Sequence, residues 1–281
     1  MKKIYLLGVL ATIMLAGCSS AKPAESTSAS ADASAVESKA DKTTTAASEN
    51  KTTFTVGFDQ DFPPMGFVGD DGEFTGFDLE LAAEAAKRMG KEIKYQPISW
   101  DAKDMELTSG NIDCIWNGFS IQGREDKYTW SKPYMKNDQV FVVKSDSSID
   151  SIEDLAGKTV EVQTDSSAEA ALKENTELAN TFSKLQTVAD YNTGFMDLEM
   201  GGVDAIAMDS VVANYQITKR GGNGFTVLDT PLSSEEYGIG FKLGNETLKN
   251  EVQKALEDMK ADGTMKTISE KWFGKDVTTL E

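Results

Sequence analysis

TFTVGFDQDFPPMGFVGDDGEFTGFDLELAAEAAKRMGKEIKYQ, residues 53–96, carries the pattern that decides the fold. Thr53 to Phe58 is a β-rich run, and Asp61-Phe62-Pro63-Pro64 turns the chain after it. Asp70-Asp71-Gly72 is a tight turn. Phe77, Leu81, Ala85 and Met89 recur at helical spacing, and Gly90 ends the helix they predict. Glu92 to Gln96 then reads as a second strand. Strand–helix–strand alternation predicts an α/β fold with mostly parallel sheets.

The alternation continues outward. Met105 to Gly110 closes a helix and Ile112 to Trp116 is a strand. A second, similar series begins at the strand Val140 to Lys144, with a short helix Ile152 to Gly157 after it. Val160 to Gln163 is a strand that meets a helix starting near Ser166. A helix over Asn192 to Gly201, a strand over Asp204 to Met208 and a helix over Val211 to Arg220 follow. Gly238 to Lys242 is a strand, and Asn250 to Gly263 and Thr264 to Trp272 are closing helices. Two series imply two α/β lobes, with ligands in the crevice at strand C-terminal ends.

The N-terminal segment reads as an address label. Lys2 and Lys3 precede the mostly apolar run Ile4 to Leu15, and Ala16, Gly17 and Cys18 bring small residues to a cleavage point. About a dozen apolar residues cannot span a hydrocarbon core that needs about 20. Residues 1–17 therefore read as a signal peptide, and Leu15-Ala16-Gly17-Cys18 resembles a bacterial lipobox with Cys18 as the lipidated residue. Residues 18–50 read as a tether, because Ala, Ser, Thr and charged residues offer nothing to offset ordering entropy.

Composition excludes several classes. The chain has no His, and Cys114 is its one Cys beyond Cys18. Ser-His and Cys-His nucleophile pairs, His-rich zinc sites and disulfides are thereby removed. Cys114 lies in the apolar run Ile112 to Phe119 and reads as an inert buried thiol. A net charge of −18 argues against nucleic acid. No cofactor or metal is implied.

Several segments share one family's order. They are Val56-Gly57-Phe58-Asp59 with Phe62-Pro63-Pro64, Gly72 to Leu79, Gly110 to Asp113, and Gly118 to Ile121 with Gly123-Arg124. Trp130 to Tyr134, Asp154 to Val160, Gly202 to Ala205 with Asp209, Asp262 to Thr264 and Trp272 to Gly274 continue the series. Over Lys51 to Gly274 the chain resembles the family-3 extracellular solute-binding proteins, the polar-amino-acid receptors of ABC importers. The resemblance implies a two-lobed, periplasmic-binding-protein-like (type II) fold with a two-strand hinge near Tyr134–Gln139 and Ser233–Phe241. Residues 51–137 and 238–281 would form lobe 1, and residues 138–237 lobe 2.

It also implies a site. A zwitterion presents an anion and a cation that must both be desolvated, so each needs a strong partner. Arg124, aligned with a one-residue gap, would grip the carboxylate through its planar fork. Taken alone, Arg124 beside Glu125 and Asp126 could equally be a surface ion pair. Ser166 and Ser167 sit where a strand turns into a helix; they read as helix caps, and the family places the ligand carboxylate there as well. Asp209 matches the ammonium-pairing carboxylate, with the Gly118 carbonyl and the Ser120 hydroxyl as further acceptors. Phe62 and Trp100 match two stacking positions, where core filling is the bland alternative. Asp59, Asn117 and Gln163 would face the far end of the side chain.

The expected protein is thus an extracytoplasmic lipoprotein on a bacterial cell membrane. It would act as a monomer, binding a polar amino acid for delivery to ABC permease and ATPase subunits. The alternatives are a lipoprotein that presents ligand to a sensor, and a dehydratase on the same scaffold. The second needs a positioned acid or base that Asp59 and Asp209 do not leave free.

Overall fold

The computed structural model describes residues 51–281. The expected signal peptide (1–17), Cys18 and the whole expected tether (18–50) lie outside the described residues. The first series gives strands β1 (Thr53–Phe58), β2 (Asp61–Phe62), β3 (Gly66–Val68) and β4 (Phe74–Thr75), then helix α1 (Phe77–Arg88). Strand β5 (Glu92–Pro97), helix α2 (Lys103–Ser109) and strands β6 (Cys114–Ser120) and β7 (Tyr128–Trp130) follow. Strand β8 (Met135–Lys144) leads into β9 (Thr159–Gln163), α3 (Ser167–Glu174), α4 (Thr176–Ala179) and β10 (Lys184–Val188). Then come α5 (Tyr191–Met200), β11 (Ala205–Asp209), α6 (Ser210–Lys219), β12 (Phe225–Val227) and β13 (Ser233–Lys242). Helices α7 (Glu246–Asp262) and α8 (Thr264–Phe273) end the series.

The main sheet runs β10-β9-β11-β8-β13-β6-β1-β5. At one end β6, β1 and β5 are parallel, and at the other β10, β9 and β11 are parallel. The two central strands, β8 and β13, are antiparallel to each other and to their outer neighbours. Each is one unbroken ten-residue strand passing from one lobe's sheet to the other's. The mixed α/β, mostly parallel, two-lobed reading therefore stands.

Both central strands begin five residues before the positions their sequence predicts, at Met135 rather than Val140 and at Ser233 rather than Gly238. Met135 to Gln139 and Ser233 to Tyr237 mix polar and apolar residues, so hydropathy alone does not reveal them. Pairing of Gln139 with Ser233 and Met135 with Tyr237 extends each strand toward the middle. The sixth strand starts at Cys114 rather than Ile112, because Ile112 belongs to the turn after Gly110. The expected helix at Ile152–Gly157 is a single 3₁₀ turn, Glu153–Leu155.

One apolar cluster joins α1, α7 and α8 to β1 and β6 and continues into α5 and α6 of the other lobe. Smaller clusters close the opposite face of each lobe, around Leu155 and Phe182 in one and Phe119 and Tyr128 in the other. After α8, Thr278 pairs with Met135 and the Thr279 N–H donates to the Tyr134 carbonyl at 2.8 Å, which ties the last residues to β8. Among the described residues no helix is long and apolar enough to cross a membrane.

Candidate functional site

The parallel strands bring their C-terminal ends to one seam between the lobes. β1 delivers Asp59 and β6 delivers Asn117, Gly118 and Ser120, while β9 delivers Gln163 and β11 delivers Asp209. Asn117 Oδ1 accepts from the Asp59 N–H at 3.0 Å, and Asp59 Oδ1 accepts from the Asp61 N–H at 2.9 Å. Across the seam Gln163 Nε2 donates to Asp59 Oδ2 at 2.7 Å. Burial pushes the Asp59 carboxyl up to about 6, against the lowering effect of the Asp61 N–H and Gln163.

Arg124 is 8% exposed. Nη1 donates to Ser167 Oγ at 2.8 Å and to the Ser120 carbonyl at 3.4 Å, and Nη2 donates to the Asp165 carbonyl at 3.2 Å. The guanidinium lies 5.2 Å from the centroid of the Phe119 ring. It also faces the first turn of α3, whose free N–H groups and dipole favour an anion. Ser166 caps that helix, its hydroxyl accepting from the Glu169 N–H at 3.1 Å. Among the described residues no carboxylate oxygen lies within 4.0 Å of Arg124, and no ammonium or guanidinium lies that close to Asp209.

Asp209 is 4% exposed and its Oδ1 accepts three bonds. Asn137 Nδ2 donates at 2.9 Å, Gln139 Nε2 at 2.8 Å and the Tyr237 hydroxyl at 2.6 Å. Burial, and then the neighbouring Glu235 carboxyl, push Asp209 well above the usual carboxylate range.

The aromatic walls differ. The Phe62 ring lies 6.1 Å from that of Tyr191 across the seam. It also stands against Gly118, where a Cβ would come within 2.9 Å of Phe62 Cε1. Gly118 has φ +55, a left-handed conformation that leaves its carbonyl and N–H turned out of the ordinary strand pattern. Trp100 stands edge-on to Phe119 at 5.5 Å, and the Lys103 ammonium sits 5.0 Å from its ring centroid.

Bacterial extracellular solute-binding proteins, family 3, match over residues 54–275. The chain belongs to that family. The L-cystine-binding protein TcyJ of Escherichia coli K12 is 36% identical over 229 residues, covering 80% of this chain and 84% of the relative. The L-cystine-binding protein TcyA of Bacillus subtilis is 32% identical over 228 residues, 80% of this chain and 82% of the relative. A Streptococcus pneumoniae ABC uptake transporter substrate-binding protein, solved with bound histidine, superposes with a TM-score of 0.79 at 38% identity. That alignment covers 81% of this chain and 95% of the other.

Several residues of this family-3 protein's seam escaped the sequence reading. Lys103 is 1% exposed and pairs with the Asp165 carboxylate from the other lobe. Asp165 itself holds φ 58, outside the range usual for a side-chain-bearing residue. Asp78 is fully buried, accepting from the Gly118 N–H at 2.6 Å and from the Tyr134 hydroxyl at 2.8 Å, and burial pushes its carboxyl up to about 7. Asn137, Gln139, Glu235 and Tyr237 come from the central strands. Their alternation, Asn-x-Gln on one strand and Glu-x-Tyr on the other, places polar groups on one face at period two. That alternation was the available signal.

Proposed function

We propose that this family-3 protein captures a polar α-amino acid between its lobes and delivers it to the permease and ATPase subunits of an ABC importer. One observation carries the reading. The seam holds a buried guanidinium, Arg124, and a buried carboxyl group, Asp209, and neither has an oppositely charged group of the protein's own within 4.0 Å among the described residues. Buried charges are costly unless paired, and a zwitterion pairs both at once.

The carboxylate would lie on Arg124 with Ser166 and Ser167 at the start of α3. The ammonium would lie on Asp209 with the Gly118 carbonyl and the Ser120 hydroxyl. Phe62 and Trp100 would flank the side chain, with Asp59, Asn117 and Gln163 at its far end. Asp59 is an acceptor there, so it favours a side chain ending in an N–H donor. Cystine and histidine, which the relatives' names carry, both end that way. About ten ligand heavy atoms at 0.3–1.5 kcal/mol each allow roughly 3–15 kcal/mol, and a micromolar constant needs about 8.

Lobe 1 would comprise residues 51–137 and 238–281, and lobe 2 residues 138–237, closing about β8 and β13. Lipidation at Cys18 would hold a monomer at the membrane; Cys18→Ser should then release it. The decisive test is thermal melting against the common amino acids, cystine and ornithine. A ligand at 100 times its dissociation constant adds about 2.7 kcal/mol of stability. A large shift from one side-chain class is expected. No shift with any of them, after unfolding and refolding to strip bound ligand, would refute the reading.

A further inference from the structure

Glu235 lies on β13 at the junction of the lobes and is 6% exposed. Its Oε1 accepts from Asn137 Nδ2 at 2.7 Å and from Gln139 Nε2 at 2.8 Å. The same two nitrogens donate to Asp209 Oδ1. A side-chain amide has two N–H bonds, so each amide gives one to each carboxyl group. The orientation of Asn137 is fixed from its other side, because its Oδ1 accepts from the Ser210 hydroxyl at 3.1 Å and the Val211 N–H at 3.5 Å. Two amides on β8 thus clamp two buried carboxyl groups side by side.

The other titratable groups facing this pair are the phenols of Tyr237 and Tyr191, both kept neutral by burial and by the nearby carboxyls. No Lys or Arg of the described residues lies within 4.0 Å of either carboxyl. Two buried carboxyls this close, with no cation, do not both ionise; the pair keeps a proton.

We infer that Asp209 and Glu235 hold one proton between them when no amino acid is bound, and that the ligand's ammonium displaces it to solvent. Glu235 is then a positioning residue that acts through Asp209 without touching the ligand. One positive charge replaces another, and the only bond broken is the carboxyl O–H. Capture becomes proton-linked, and affinity rises with pH by about tenfold per unit while the pair still carries its proton. The inference rests on the proposal that Asp209 receives the ammonium.

The test is calorimetric titration of the full-length chain. The probe is whichever common amino acid, or cystine, gives the largest melting shift. Titrating it in two buffers of different ionisation enthalpy gives the number of protons released, and the wild type alone suffices for this first measurement. Release of about one proton per ligand near neutral pH is expected. Glu235→Gln, which keeps an acceptor for the amides, should bind with the release lost and a flat pH profile. Binding without proton release in the wild type overturns the inference and leaves the binding function standing. So does release that survives Glu235→Gln. Binding by none of the probes overturns the functional proposal itself.

Discussion

Gln163 Nε2 donates to Asp59 Oδ2 at 2.7 Å, joining the end of β9 in one lobe to the end of β1 in the other. The bond keeps a buried carboxyl at the far end of the seam, with an amide as its partner rather than a cation. A ligand N–H donor reaching this point meets an acceptor whose charge depends on pH. Asp59 titrates at about 6, raised by burial, so it is ionised at pH 7.5 and largely neutral at pH 5. A ligand with a cationic side chain should therefore bind more weakly as pH falls through about 6, over and above any effect at the ammonium site. Asp59→Asn should weaken a basic ligand far more than an amide one. Equal losses across both classes, measured by calorimetry, would count against a specificity role for Asp59.

Arg124 tests the other end. Removing one member of a buried charge pair costs about 2–5 kcal/mol of binding. Arg124→Ala should accordingly raise the dissociation constant by at least about thirtyfold. Its effect on the empty protein should be small. The variant loses the bonds to Ser167 and the Asp165 carbonyl, and it also removes a desolvated cation that has no anion of its own. Melting curves with and without ligand separate the two effects. Retained affinity would refute the carboxylate assignment.

The α/β alternation was legible because Thr53–Phe58 and Phe77–Met89 carry clean periods of two and about 3.6. The family resemblance supplied Asp59, Gln163 and Asp209, and each stands at or just past the last residue of a parallel strand. Lys103 was not legible. On α2 it resembles any surface lysine, and only the approach of the other lobe buries it against Asp165. Asp78 was equally hidden, since an Asp in the first turn of a helix ordinarily serves the dipole. Here it turns inward to hold the Gly118 N–H. Glu235 and Asn137 matter through each other, from positions 98 residues apart.

Lys103 and Asp165 form a latch beside the ligand seam. Lys103 also donates to the Trp100 and Asp165 carbonyls at 3.3 Å. Burial lowers the Lys103 ammonium from its usual range, while the Asp165 carboxylate opposes that shift. Because Asp165 is half exposed, water screens the pair, and its contribution to closure is about 1 kcal/mol. Asp165→Ala should thus speed ligand release about fivefold with little change in association rate. Stopped-flow measurement of both rates checks this. A slowed association with unchanged release would refute the latch.

Stability of the ligand-free protein should fall as pH rises from about 4 to 8. Three buried carboxyls drive this: Asp78, raised to about 7, Asp59, raised to about 6, and Asp209, raised by burial and by Glu235. Each is easier to protonate in the folded chain than in the unfolded one. Their contribution is therefore complete below the unfolded value of 3.8 and is lost as pH climbs through the folded values. At about 1.4 kcal/mol per unit, Asp78 alone shifts stability by a few kcal/mol. Half-buried Glu84, which burial pushes up but Lys87 and Arg88 hold low on balance, works in the opposite direction and limits the gain at the acid end. Asp78→Asn keeps an acceptor for the Gly118 N–H and removes the titration, so its melting temperature should depend less on pH than the wild type's. An unaltered pH profile in that variant would mean that Asp78 is ionised throughout, and that the Gly118 N–H and the Tyr134 hydroxyl outweigh the cost of burying its charge.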